Sequence, residues 1–354
     1  MQNLILFDQN ILHYRQAIYK GFSDEFKAMN INLVVCYDQN LVSKQPNDDL
    51  FKPIAYTFTG FNHAVKTYKP QCIILFVWLK YRYLLPFMLL QKLKGLKQII
   101  WTHGAHLPSP YKAPNRQLHL LRHALANAHI IYSPNELKLI PFCKKKVFIA
   151  NNTLNFNSFP VISDDKNTLK AKYNLEGKKV ILSVARWNDM NRKPHYITDA
   201  MALMNPVDVV WLVIGPGLSE TEVDHLKANP NIHVLGEIYS PQIVNEYYKL
   251  ADVFVMPGGL GLAINQAFYQ SLPIIIEDIE GHSPEVFYLK EDINGLKFKA
   301  NDMNDLIAKL KGLLQNDRKR NTFAQNAKIT MDKEGSFENM VESFKKTIEW
   351  VLKN

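Results

Sequence analysis

The chain has 354 residues, 47% of them hydrophobic and 21% charged, with a formal net charge of +9. That length favours two domains over one, and the composition excludes a disordered chain. The positive balance calls for an anionic partner, whether nucleic acid, a membrane surface or a phosphorylated substrate.

The N-terminal MQNLILF lacks a basic start ahead of a long apolar core, so it reads as a strand of a cytosolic protein rather than a signal peptide. Further strands are expected at 31–37, 72–78, 98–103, 129–133 and 146–150, with helical patterns between several of them, as at 15–29 and 116–128. Lys80, Arg82 and Pro86 interrupt the apolar run at 72–90, which excludes a membrane span of roughly 20 apolar residues. Basic residues concentrate at 80–97 and in FCKKKVF at 142–148. The first segment mixes Lys and Arg with Leu, Phe and Met, as a helix on an anionic membrane interface would. A half-buried helix with snorkelling lysines has the same composition. Cys36, Cys72 and Cys143 stand at no CxxC or zinc-like spacing, so free thiols in a reducing compartment are expected.

A polar stretch at 155–174 breaks the rhythm and reads as a domain junction. The alternation then restarts, with strands expected at 178–185, 209–215, 231–236, 252–257 and 273–278 and helices at 195–204, 219–228, 241–250 and 261–271. Residues 336–354 form an amphipathic helix. Continuous apolar strands alternating with helices imply parallel sheets covered on both faces. The reading is thus α/β, with two Rossmann-like domains. The first is 1–158, completed by the C-terminal helix at about 336–354, and the second is 175–335. Ligands of such sheets bind at the carboxyl ends of strands, which puts the active site in a cleft between facing domains.

Three segments of the second half have chemistry to offer. In SVARWNDMNRKP, Arg186 stands just past a strand and Lys193 seven residues later, two cations that can clamp a diphosphate without a metal, or simply line a solvated loop. VIGPGL places Gly215 and Gly217 in a tight turn but lacks the three-glycine dinucleotide fingerprint, and no GxxxxGK[ST] loop occurs. In PGGLGLAINQA, the glycines at 258, 259 and 261 let backbone approach a ligand closely, and a helix starting near Leu262 offers unpaired N–H groups to a phosphate. Gln266, about one turn into that helix, can bond a ribose or sugar hydroxyl. A turn selected only for packing reads the same. In the first half, His13 and Arg15 follow the first strand, where they can meet an acceptor's phosphate or cap a helix, and His103 ends a strand as a ligand contact or a structural histidine. His106, His195 and His282 are too irregularly spaced for zinc.

These segments, in this order and spacing, resemble the donor domain of the retaining GT-B glycosyltransferases of family four. That family has a strand ending in Arg, a Lys several residues on, a glycine turn after the next strand, and a Glu-Gly-Phe-Gly-Leu segment whose Glu lies eight residues before a second Glu. Arg186, Lys193, GPG and GGLGLAINQA occupy these places, and EGHSPEVFYLKEDINGLKF resembles the closing segment, with Glu285 and Gly295 in position. The resemblance spans 178–300. More loosely, WTHGAH resembles the loop whose His touches the donor sugar, here His103, VFIANNTLN resembles the strand closing the acceptor domain, and HYRQAIYKGF resembles a first-loop variant of bacterial polysaccharide transferases.

The departures lie at the acids. Gly258 stands for the first Glu, which helps hold the sugar, and Gln266 for the second, which holds the ribose. Gln can still bond a hydroxyl, whereas Gly leaves the sugar to backbone N–H groups of the turn, Gly258 through Gly259, Leu260 and Gly261 to Leu262, or to His282, Ser283 and Glu285. Glu285 alternatively caps a helix. EDIEG at 277–281 contains the Asp-x-Glu of metal-dependent transferases but reads as a loop, since Arg186 and Lys193 fill the electrostatic role.

The resemblance implies transfer of a sugar from a UDP- or GDP-linked donor to a glycan, with retention, without metal or cofactor. The acceptor is expected to be lipid-linked, as in lipopolysaccharide or capsule synthesis, at the cytoplasmic face of the membrane with 80–97 in peripheral contact. A nucleotide-sugar epimerase of the same fold is the alternative. A non-enzymatic nucleic-acid-binding protein would also explain the charge, but no such motif is present.

Overall fold

The computed structural model describes the chain except residues 42–45, 79, 104–112, 141–145 and 190, and the side chains of residues 13, 113–116 and 139. His106, Cys143 and most of the basic FCKKKVF segment fall outside the described residues, as does the side chain of His13. The chain divides into two compact units, Met1–Asn155 with Phe337–Asn354, and Phe156–Ser336.

The first unit is built on a parallel sheet of seven strands in the order β3-β2-β1-β4-β5-β6-β7. These are β1 (Gln2–Phe7), β2 (Ile31–Asp38), β3 (Phe51–Ile54), β4 (Cys72–Leu75), β5 (Lys97–Thr102), β6 (Ala128–Ile131) and β7 (Val147–Ile149). Helices α1 (His13–Lys27), α2 (Phe58–Tyr68), α3 (Leu84–Leu93) and α4 (Ala113–Leu125) connect them. The sequence reading passes over β3, which contains Pro53. A proline cannot donate to a ladder and is tolerated at a sheet edge, where β3 lies.

One face of this sheet is closed jointly by α1 and the last helix of the chain, Phe337–Lys353. Phe337, Met340, Val341, Phe344, Ile348 and Val351 recur at helical spacing and are all buried. Phe344 lies 4.5 Å from Phe22 of α1 and edge-on to Trp101 of β5. Burying such side chains is worth about 1.5–3 kcal/mol each, which attaches this helix to the first unit although it follows the second in the chain. On the opposite face Phe7 stacks on Phe61 and meets Phe87 edge-on. Helix α3 therefore buries Leu84, Phe87, Met88 and Gln91, and exposes Leu89 and Leu93. It is a half-buried helix.

The second unit carries a parallel six-stranded sheet, β10-β9-β8-β11-β12-β13. Its strands are β8 (Lys179–Val184), β9 (Val209–Ile214), β10 (Ile232–Gly236), β11 (Val253–Met256), β12 (Ile274–Asp278) and β13 (Gly295–Lys299). Helices α5 (Lys166–Lys172), α6 (His195–Met204), α7 (Glu220–Lys227), α8 (Pro241–Leu250), α9 (Ala263–Tyr269), α10 (Met303–Gln315) and α11 (Asp317–Glu334) complete it, so the last helix of the chain is α12. Helix α5 lies inside the stretch read from sequence as a junction. It buries only Leu169, and the Asp165 carboxylate caps it through Thr168 N–H at 2.8 Å, so its apolar signal is faint.

Candidate functional site

In the second sheet β8 is the first strand, and the chain runs outward from it in both directions, to β9 and β10 on one side and to β11, β12 and β13 on the other. The loops after β8 and β11 therefore part at the carboxyl edge, the point where open α/β sheets bind ligands. They carry Arg186, Lys193 and the 257–262 turn.

Three glycines set the path of the β8 loop. A Cβ on Gly215 would meet Ala185 O at 1.8 Å, one on Gly217 would meet Asn188 Oδ1 at 2.7 Å, and one on Gly258 would meet Asn191 O at 2.2 Å. All have φ in the left-handed region, +119°, +96° and +88°. Position 258 thus has room for no side chain, because the loop that carries the cations lies directly on it.

A carboxylate reaches the same place from another strand. Glu277 of β12 is fully buried, and its Oε2 accepts from Gly258 N–H at 3.1 Å. Its Oε1 accepts from Asn301 N–H at 2.9 Å and from the Lys193 ammonium at 2.5 Å, while Lys193 also donates to Asn301 Oδ1 at 2.8 Å. Lys193 is consequently not a free phosphate-binding cation in this structure: its charge is matched by Glu277, and it ties the β8 loop to β12. Nor is EDIEG wholly a loop, since Glu277 and Asp278 end β12, with Asp278 paired to Lys297 at 3.1 Å. Arg186 is exposed; its backbone O accepts from Asp189 N–H at 3.2 Å, while its guanidinium has no hydrogen bond or ion pair to another described residue.

The expected N–H groups of the turn are partly spent. Gly258 N–H goes to Glu277, and Leu260 N–H donates to His282 Nδ1 at 3.0 Å. With Nδ1 accepting, the His282 proton is on Nε2, which donates to Glu277 O at 2.8 Å. Burial lowers the His282 pKa, in keeping with this neutral tautomer. His282 is thus a brace between the turn and β12, both ring nitrogens being occupied, rather than a sugar ligand. The N–H groups of Gly259 and Gly261 have no partner among the described residues, and Ser283 Oγ stands opposite Gly261, 3.3 Å from where a Cβ would be. Leu262 caps α9, and Gln266 within it donates from Nε2 to Asn245 Oδ1 of α8 at 2.7 Å. Glu285 is buried in a 3₁₀ turn at Pro284–Tyr288, where its charge contributes, after burial, to raising the Tyr288 phenol. It is not exposed to a sugar.

In the first unit, the carboxyl edge carries two linked groups. Asp8, past β1, is buried and accepts from Tyr19 Oη at 2.6 Å, and Arg15 Nη1 donates to Tyr19 Oη at 3.1 Å and to Asp8 at 3.4 Å. The guanidinium lies 4.8 Å from the Phe76 ring and 5.3 Å from that of Trp101. Arg15 is therefore part of an internal ion pair, neither a helix cap nor a displayed cation. Burial raises the Asp8 carboxyl above its ordinary range, with Arg15 opposing. His103, past β5, is the exposed member: its ring stacks on Tyr132 at 4.0 Å and its Nδ1 is 3.5 Å from Glu136 Oε1. Glu136 Oε2 accepts from the N–H groups of Tyr132 and Ser133 at 2.8 and 3.0 Å. The imidazole is thus aimed by a fixed carboxylate, and its Nε2 has no partner among the described residues.

Sequence reasoning did not single out Glu136, Asn245, Glu277 or Asn301. Glu136 was within reach, since S-P-N-E is a capping-box pattern, whose Glu136 half is formed here. The other three have no local signature.

Residues 165–330 match the family described as glycosyl transferases group 1. No curated protein matches the chain. Its fold is similar to that of HepE from Anabaena, solved in complex with UDP, with a TM-score of 0.76 at 15% identity over 99% of this chain and 100% of that one. It is similar to a glycosyltransferase from Rickettsia africae, with a TM-score of 0.78 at 14% identity over 100% and 99% of the two chains. It is also similar to a UDP-N-acetylglucosamine 2-epimerase homologue from Listeria monocytogenes, with a TM-score of 0.66 at 12% identity over 99% and 97%. Residues 165–330 are therefore similar to the glycosyl transferases group 1, on a chain with the two-domain α/β fold of the GT-B glycosyltransferases.

Proposed function

We propose that the protein transfers a sugar from a nucleoside-diphosphate donor to a glycan acceptor. The observation that carries this is the pairing of exposed Arg186, at the switch point of the second sheet, with a glycine turn that keeps the N–H groups of Gly259 and Gly261 unpaired. Departure of a nucleoside diphosphate leaves negative charge on phosphate, and fixed donors aimed at developing charge are the strongest catalytic device a protein has. Arg186 and the two N–H groups supply it, and Lys193, held by Glu277, shapes the loop that presents Arg186. Gln266 takes the ribose. His103, oriented by Glu136, is the residue that the family likeness assigns to sugar contact.

Retention and independence of metal belong to this proposal. They rest on the family likeness and on a clamp made from protein donors. The acceptor we propose is lipid-linked, with the chain cytoplasmic and touching the anionic leaflet through α3, whose outer side shows Leu89, Leu93 and Lys94. Among the described residues no helix is long and apolar enough to cross a membrane. Lys92 is less available, since its ammonium donates to Leu125 O at 2.7 Å. The paired substitution Leu93→Ser and Lys94→Glu is expected to weaken sedimentation with anionic vesicles, and unchanged binding removes the membrane contact.

The test of the donor site is thermal unfolding with UDP, GDP and their sugars. A nucleotide at 100 times its Kd stabilises by about 2.7 kcal/mol. One that stabilises the wild type but not Arg186→Ala supports the clamp, and no stabilisation by any of them rejects the reading. Because the fold is shared with the Listeria 2-epimerase homologue, epimerisation is the second reading. A UDP-sugar converted to its epimer without any acceptor would favour it.

A further inference from the structure

The strongest unassigned feature is Asn245. It lies in the middle of α8, is fully buried, and makes one side-chain bond, accepting at Oδ1 from Gln266 Nε2 at 2.7 Å. Its Nδ2 is buried with no partner among the described residues. Burying an amide donor unpaired is costly, so its retention beside the ribose candidate calls for a reason.

The reason lies in what an amide pair can present. Gln266 is half-buried and at the end of its bond to Asn245 has only one polar atom left over. With Nε2 given to Asn245, the outward atom is Oε1, an acceptor. Were both amides turned over, Asn245 Nδ2 would donate to Gln266 Oε1, and Gln266 would show a donor instead. A carboxylate, by contrast, shows an acceptor in every orientation. Asn245 therefore decides whether the glutamine behaves toward a hydroxyl as a carboxylate would.

We propose that Asn245 is the positioning residue for ribose recognition, holding the Gln266 amide so that Oε1 accepts from a ribose hydroxyl of the bound nucleoside diphosphate. This rests on the donor-site reading above. The unpaired Nδ2 is the counterpart of this choice: the orientation that satisfies the ligand leaves the buried amide one bond short. A side chain that accepts only would hold the same orientation, and an apolar one would release it.

The experiment is equilibrium binding of UDP, GDP and their 2′-deoxy counterparts to wild type, Asn245→Asp and Asn245→Leu in the full chain. The readout is the ratio of ribo to deoxy affinity, which general loss of fold does not move. Wild type is expected to favour ribose. Asn245→Leu should cut that ratio roughly 3- to 10-fold, the scale of one hydrogen bond, while Asn245→Asp should keep it within about twofold. If the leucine variant does not fold, Asn245→Ser, too short to reach Gln266, carries the same expectation. An unchanged ratio in both, or an equal loss in Asn245→Asp, overturns the inference while UDP or GDP binding keeps the donor reading intact. No binding of either nucleotide to wild type defeats the donor reading and this inference with it.

Discussion

Replacing Glu277 by Gln should cost far more than its position outside any recognised motif suggests. The carboxylate is fully buried and accepts from three donors, Gly258 N–H, Asn301 N–H and the Lys193 ammonium, whose side chain is only 12% exposed. The amide of Gln can serve one side of this arrangement, but its NH₂ must face either the ammonium or a backbone N–H, donor against donor. Breaking one partner of a buried pair costs about 3–5 kcal/mol. For a unit the size of Phe156–Ser336, each kcal/mol moves Tm by about 2–4 °C, so the shift should be roughly 6–20 °C. The assay is calorimetric unfolding of wild type, Glu277→Gln, Lys193→Met and the double variant. Lys193→Met strands the buried carboxylate and should be costly too, whereas the double variant should cost less than the two together by at least ~1 kcal/mol. A Glu277→Gln penalty under ~1 kcal/mol, or additivity within ~0.5 kcal/mol, would refute the claim that this pair holds the loop.

Gly258→Ala should be destabilising by more than the about 1–2 kcal/mol of a left-handed backbone alone, because its Cβ would meet Asn191 O at 2.2 Å; chemical denaturation reads the cost, and a neutral substitution would show that the loop does not lie on the turn. Stability should also fall in acid. His123 and His129 are buried, and burial above all lowers their pKa values to about 2 and about 4, aided at His123 by neighbouring positive charge and opposed at His129 by a hydrogen bond with His123. The unfolded chain takes up protons below about pH 6.5 and the folded chain does not, so each removes about 1.4 kcal/mol per pH unit as pH falls from 6.5, His129 down to about pH 4. Asp8, raised by burial, acts in the opposite sense at lower pH. Urea unfolding between pH 7.5 and 5 should show a steeper loss for wild type than for His129→Gln, and parallel lines would contradict the burial argument. Glu136→Gln should lower turnover and leave donor KM nearly unchanged if it serves to orient His103; a rise in KM alone would count against that role.

The elements that were legible in the sequence are those whose signal is local. Continuous apolar runs such as 209–214 and the helical spacing of 337–351 state strand and helix directly, because burial repeats with the geometry of the element itself. Arg186, the 257–262 turn and His103 were legible for a related reason: each stands where a strand of a parallel sheet ends, and that edge follows from alternation alone. Where the polar groups go was not legible. Lys193 meets Glu277 across 84 residues, Gln266 meets Asn245 across two helices, and Arg15 turns inward to Asp8 and two aromatic faces. A charged side chain reads the same in sequence whether it is displayed or neutralised, since its partner is chosen by strand order and loop path. The sequence by itself determined the alternation of strand and helix, the two halves and the glycine turn, because these depend on neighbours in the chain. Only the tertiary structure decided that Lys193 and His282 brace that turn while Arg186 is left exposed beside it, because burial and pairing are properties of residues that meet only after the sheet has formed.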